Sequence, residues 1–84
     1  MVVGFVLITA DSHSRNKVND ELRKIPEIKE LHPLLGEYDF FAKVEVIGKN
    51  EFQSIGEIVV REIRTIDGVI ETRTLTGGKI SRRL

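Results

Sequence analysis

The first nine residues, MVVGFVLIT, are a β-branched and aromatic run that is apolar on both alternating faces. Such a run reads as a strand. At a period of two, Val3, Phe5 and Leu7 fall on one face and Val2, Val6 and Ile8 on the other. A strand of this kind needs cover on both sides. Helices of the same chain can supply one cover. A chain of 84 residues has little left for the other, so a second copy is its natural source.

The pattern downstream supplies the helices. In ADSHSRNKVNDELRKIP, Asp11, Ser12 and Ser14 are candidate N-caps, Val18, Leu22 and Ile25 form one helical stripe, and Pro26 closes the helix. Residues 28–35, IKELHPLL, read as a second strand, and Pro33 makes it an edge or bulged one because proline cannot donate to a ladder. Gly36-Glu37 then reads as a two-residue hairpin connection. Tyr38 to Ile47 is a third strand that Gly48 breaks. Asn50 and Gln53 make a capping box, and Phe52, Ile55, Val59, Ile63 and Ile66 give a second amphipathic helix that stops at Asp67-Gly68. Residues 69–76, VIETRTLT, are a fourth strand.

The order is β-α-β-β-α-β. A faint repeat, ELRKIPEIKEL (21–31) against EIRTIDGVIET (62–72), divides it into two halves. Two such halves with right-handed crossovers predict an α+β, ferredoxin-like fold: a four-stranded antiparallel sheet with both helices on one face and dimerisation through the other. All of it lies in residues 1–76, leaving 77–84, GGKISRRL, as a C-terminal tail.

Charge and composition exclude several functions. Lys+Arg and Asp+Glu both number 13, so there is no basic excess to hold nucleic acid or an anionic membrane. There is no Cys, hence no disulfide, thiolate metal site or thiol nucleophile. The longest apolar run is Phe5 to Ile8, far short of the ~20 residues of a membrane span. No charged region precedes the first strand, so no signal peptide is visible and a cytoplasmic location is expected. His13 and His32 do not share a metal-ligand spacing. No serine has a nucleophile-elbow context. TGGK (76–79) lacks P-loop spacing and reads as a linker. No catalytic residue, metal ligand or cofactor is expected; a binding or assembly module is.

LLGEYDFF (34–41) is the segment with chemistry to explain, since it sets Glu37 and Asp39 around a glycine turn. Ordinary turn chemistry accounts for such a sequence, and so does the rim of a site for a small cationic group.

FVLITA, LRKIPEI, LLGEYDFFAKVEV and IREIRTIDGVIETRT, in this order and spacing over residues 3–76, resemble the effector-binding (RAM) domain of the Lrp/AsnC transcriptional regulators. The chain begins at the first strand of that domain, without a helix-turn-helix, and so is similar to stand-alone RAM proteins. The resemblance implies a homodimer assembling into a ring such as an octamer. It also implies an amino acid or related metabolite bound between dimers, and a full-length Lrp/AsnC-type regulator as partner, with no direct DNA binding and no membrane. It places Gly36, Glu37, Tyr38 and Asp39 at the effector cleft, with Thr72, Thr74 and Thr76 nearby. Thr76 and the following glycines depart from the more hydrophobic ending common in the family. At such a cleft Asp39 or Glu37 can accept from an ammonium, backbone N–H groups at Gly36 can donate to a carboxylate, and the threonine hydroxyls can do either. The competing readings are a purely structural assembly domain and a small dimeric α+β-barrel enzyme with a polar pocket between sheet and helices.

Overall fold

The structure is a computed structural model that describes residues 2–47 and 51–76. β1 (Val2–Ala10) leads through a short 3₁₀ turn (Ser12–Ser14) into α1 (Arg15–Arg23). β2 (Ile28–Pro33) and β3 (Phe40–Val46) follow, then α2 (Glu51–Ile58), which continues as one π-helical turn (Val59–Ile63), and β4 (Val69–Thr76). The strands form one antiparallel sheet in the order β2-β3-β1-β4. This is the ferredoxin-like βαββαβ arrangement, with both helices on one face. The Asn50–Gln53 capping box, the Gly48 break and the 77–84 tail lie outside the described residues.

Alternation decides which side chains meet the helices. Val6, Ile8 and Ala10 of β1 and Phe40, Ala42 and Val44 of β3 are buried. Val18, Leu22 and Ile25 from the first crossover and Ile55, Val59 and Ile63 from the second close over them. Each of the valine, leucine, isoleucine and phenylalanine side chains contributes about 1.5–3 kcal/mol when fully buried. No polar or charged residue is buried among the described ones, so the space between sheet and helices is an apolar core. An enzyme reading needs a polar pocket there.

The opposite face carries Val3, Phe5 and Leu7, all partly exposed, as the two-sided pattern of β1 requires. Phe5 stacks on Phe41 of β3 with centroids 5.3 Å apart, and Leu75 of β4, paired with Phe5, is 51% exposed. Among the described residues no helix covers these groups.

The internal repeat reappears as matched hydrogen bonds. In the first half Ile25 N donates to Leu22 O and Ile28 N to Ile25 O. In the second, Ile66 N donates to Ile63 O and Val69 N to Ile66 O. The residue before each following strand then accepts from a central strand or its end: Glu27 O from Glu45 N, and Gly68 O from Asp11 N. Two chemically different turns, Pro-Glu and Asp-Gly, thus perform the same chain reversal.

Three local expectations change. The β2–β3 connection is not a two-residue turn. β2 stops at Pro33 rather than 35 and β3 starts at Phe40 rather than 38, leaving residues 34–39 between them. Gly36 does take φ +126°, but within a wider loop. Secondly, helical structure ends at Ile63, ahead of Asp67-Gly68; Gly68, at φ +105°, serves the turn into β4 instead. Thirdly, the stripe Ile55–Val59–Ile63 is kept by a π-turn, marked by the bond from Arg64 N to Val59 O. Among the three candidate caps Asp11 acts, its carboxylate accepting from His13 N at 3.1 Å.

Candidate functional site

The 34–39 loop is anchored at its base and free at its tip. Leu34 N donates to Asp39 O (2.8 Å) and closes the neck. Asp39 N donates to Ile8 O (2.8 Å), continuing the β1–β3 ladder. One Asp39 carboxylate oxygen, Oδ2, accepts from Ala10 N at 2.8 Å. The other, Oδ1, accepts from Arg15 Nη1 at 3.1 Å. Arg15 Nη2 also donates to Leu34 O (2.9 Å) and lies 3.4 Å from Asp39 O, while its guanidinium sits 5.3 Å from the centroid of the Phe40 ring. The first residue of α1 therefore grips both sides of the neck.

Beyond the neck the loop projects outward. Leu35 is 96% exposed. Gly36 and Glu37 are exposed and Tyr38 partly so. A Cβ at Gly36 would meet nothing within 4 Å, so its positive φ alone explains glycine there. Thr9 Oγ1 donates to Glu37 O at 3.4 Å; the Glu37 carboxylate has no hydrogen bond or ion pair among the described residues.

The seven residues picked out from the sequence fall into two groups. Gly36–Asp39 stand past the end of β3 nearest Ile8–Ala10. On the other flank of β1, Thr72 pairs with Ile8, Thr74 with Val6 and Thr76 with Gly4. Thr72 and Thr74 are partly buried on the helix-facing side. Thr76 lies about 14 Å further along the strand than Thr72 at about 3.4 Å per residue. Within one protomer, β1 separates the loop from these threonines. Thr72 lines a cleft of about 220 Å³ with Arg64, Val69, Ile70 and Glu71. Arg64 and Thr72 are the side-chain donors of that lining, while Glu71 alternates to the opposite face of β4 from Thr72.

Arg15, Arg64 and Glu71 border the candidate site and are not singled out by the sequence. Arg15 sits at the start of a helix, where an arginine carries no signal of its own. The ion pair joins residues 24 positions apart. Arg64 and Glu71 occur inside the repeat, where they look like solvent-facing filler.

Electrostatic coupling elsewhere is confined to the surface. Glu30, on the helix-free face, is held below its usual 4.5 by the nearby His32 ring nitrogen (3.2 Å) and then by Lys43 (3.5 Å). Asp67 is held below 3.8 by Lys17, whose Nζ is 2.9 Å away. No group of three or more His, Cys, Asp or Glu that could hold a metal occurs among the described residues.

Comparison with known proteins adds the following. The profile of the Lrp/AsnC ligand binding domain matches residues 3–77. An uncharacterised HTH-type transcriptional regulator of Pyrococcus furiosus is 36% identical over 74 residues, covering 84% of this chain and 47% of that protein. The chain thus spans about half the length of the curated relatives it matches. Among solved structures, FFRP-DM1 superposes with a TM-score of 0.81 at 27% identity, covering 92% of this chain and 99% of that one. A transcriptional regulator of Neisseria meningitidis, solved as its L-Met complex, shares the fold with a TM-score of 0.75 at 20% identity, covering 93% of this chain and 50% of that one.

Proposed function

This chain belongs to the Lrp/AsnC ligand binding domain family, and on that premise we propose that it senses an amino acid at the 34–39 loop and passes the signal to a full-length regulator by co-assembly. The family and the apolar interior make it a non-enzymatic regulatory module. The ligand, the oligomer and the partner are the proposal. So are the division into a 1–76 effector domain with a 77–84 tail and the cytoplasmic setting, which follows from acting beside a DNA-bound regulator.

The observation that carries the reading is the exposed Glu37 carboxylate beside a rigidly held loop neck. An amino acid offers an ammonium and a carboxylate side by side. Glu37 accepts from the ammonium. The Thr72 cleft, with the Arg64 guanidinium and the Thr72 hydroxyl, can donate to the carboxylate. Because β1 keeps the two apart in one protomer, the loop of one subunit meets the cleft of another, and the site exists only in the assembly. Asp39, whose two oxygens already have partners, positions the loop. The L-Met complex of the Neisseria regulator supports the ligand class. The helix-free face, with Phe5, Phe41 and Leu75, supports a dimer formed sheet to sheet and repeated into a ring such as an octamer.

A thermal-shift screen of the common amino acids, followed by calorimetry on any that stabilise the protein, tests the reading. A stabilising amino acid whose affinity falls in Glu37→Ala is the expected result. No stabilisation by any amino acid leaves the purely structural assembly domain in its place.

A further inference from the structure

α1 has a polar flank that starts at Arg15, which also grips the loop neck, and runs on past it to Arg23. At 100° per residue, Arg15, Asn19 and Arg23 fall at i, i+4 and i+8 on one flank, with Asn16 beside them. Lys17, Glu21 and Lys24 lie on the other side, while Asp20 borders the flank next to Asn16 and Arg23. That flank, with Pro33 of β2 and Phe40 of β3, lines a groove of about 230 Å³.

The lining holds two guanidiniums and two carboxamides, and no carboxylate. Asp39 matches the Arg15 charge. Arg23 is exposed and makes no ion pair among the described residues, and the Asn16 and Asn19 amides make no hydrogen bond among them. The lining thus offers donors, with the Arg23 guanidinium unpaired among the described residues and Asp20 at its border. Phe40, 1% exposed, is the closed floor beneath Arg15; exposed Pro33 gives the groove its apolar edge.

We propose that the groove between α1 and the β2–β3 strand ends binds a small organic carboxylate through Arg23, Asn19 and Asn16, with its hydrocarbon part against Pro33. One free guanidinium suits a monoanion, which its planar fork grips at two oxygens. A phosphate carries about −1.5 to −2 and calls for more positive charge than the groove holds. The volume is below the ~300–1,000 Å³ of pockets for larger ligands, so the acid is small. The site lies on the helix side of the sheet, so it stays open when the sheet faces pair, and it does not depend on amino-acid binding at the 34–39 loop.

The test is an NMR titration of the full chain with sodium propionate, against sodium chloride at equal ionic strength and sodium phosphate. Saturable shifts of the Asn16 and Asn19 side-chain amides and the Arg23 Nε–H are expected with propionate. Arg23→Gln should weaken binding by about 10-fold or more, and Asn19→Asp, which puts a carboxylate in the groove, should abolish it. Both positions are polar and outside the core, so the spectra of the variants should remain those of the folded protein. Shifts that grow linearly, that chloride reproduces or that survive Arg23→Gln overturn the site. Tighter binding of phosphate overturns the ligand class. Leucine shifting the residue 35–39 amides while propionate leaves the groove unmoved would retain the loop reading and dismiss this one.

Discussion

Arg15 and Asp39 meet at 3.1 Å across 24 residues of sequence and fix the only described hairpin loop to the start of α1. With side chains 33% and 21% exposed, the pair is partly shielded from water. It is also not isolated, because the same carboxylate accepts from Ala10 N and the same guanidinium donates to Leu34 O.

Asp39→Ala should therefore destabilise the fold itself, by about 1–3 kcal/mol, since it orphans a backbone N–H and an arginine at once. Asp39→Asn should recover part of the loss, because its amide oxygen can still accept from Ala10. Urea unfolding measures both. An unchanged midpoint for Asp39→Ala would show that the network is decorative.

The two positive-φ glycines should respond unequally to alanine. At Gly36 the new Cβ meets nothing, so Gly36→Ala costs backbone strain alone, about 1–3 kcal/mol at φ +126°. At Gly68 it would lie 2.5 Å from Ser14 Cβ and 3.1 Å from Val18 Cγ2. Overpacking adds about 1–3 kcal/mol there. Equal losses in chemical denaturation would contradict the close approach of α1 to the turn before β4.

The element order, both core faces and the repeat were legible in the sequence because they rest on period and spacing. Val6, Ile8 and Ala10 had to share a face, and Leu22/Ile25/Ile28 had to match Ile63/Ile66/Val69. The loop was not legible. Its length is set by where Arg15 and Ala10 hold Asp39, and no local window contains those three residues. The π-turn was hidden likewise, since Ile55, Val59 and Ile63 satisfy an α-helical stripe equally well. The sequence-picked threonines alternate correctly along β4, but only the strand order shows β1 standing between them and the loop.

Phe41→Glu should break the oligomer without unfolding the protomer. Phe41 stacks on Phe5 on the face that no helix covers, so a charge there is tolerated in the monomer and costly once desolvated by a partner sheet. Sedimentation equilibrium should show the wild type as a dimer or larger and the variant at the 9.5 kDa chain mass. A wild type that runs as a monomer at micromolar concentration would remove the assembly on which the composite site depends.

Glu30 gives a pH signature. Its carboxyl titrates below 4.5 in the folded protein, first through His32 and then through Lys43. A depressed acid pKa contributes stability above the unfolded value and loses it as pH falls through the folded value. Stability should therefore decline as pH drops below about 4.5, less steeply in Glu30→Gln. Carboxyl-carbon NMR should show Glu30 returning toward 4.5 in His32→Ala and also in Lys43→Met. An unmoved midpoint in His32→Ala would exclude the imidazole hydrogen bond as a cause.

The last prediction separates ligand contact from loop support. Glu37 is exposed and its carboxylate has no partner among the described residues, whereas both oxygens of Asp39 are engaged. A charge-assisted bond to an ammonium is worth roughly 1.5–3 kcal/mol. Glu37→Ala should therefore weaken amino-acid binding by about 10- to 150-fold at 1.4 kcal/mol per decade. It should leave the urea midpoint where it was. Asp39→Asn should move both quantities together, because it loosens the neck that presents Glu37. Calorimetry and unfolding on the same samples distinguish the two behaviours. If an amino acid binds and Glu37→Ala holds it as tightly as the wild type, the ammonium is met elsewhere. Glu71, in the Thr72 cleft, is then the carboxylate to remove next.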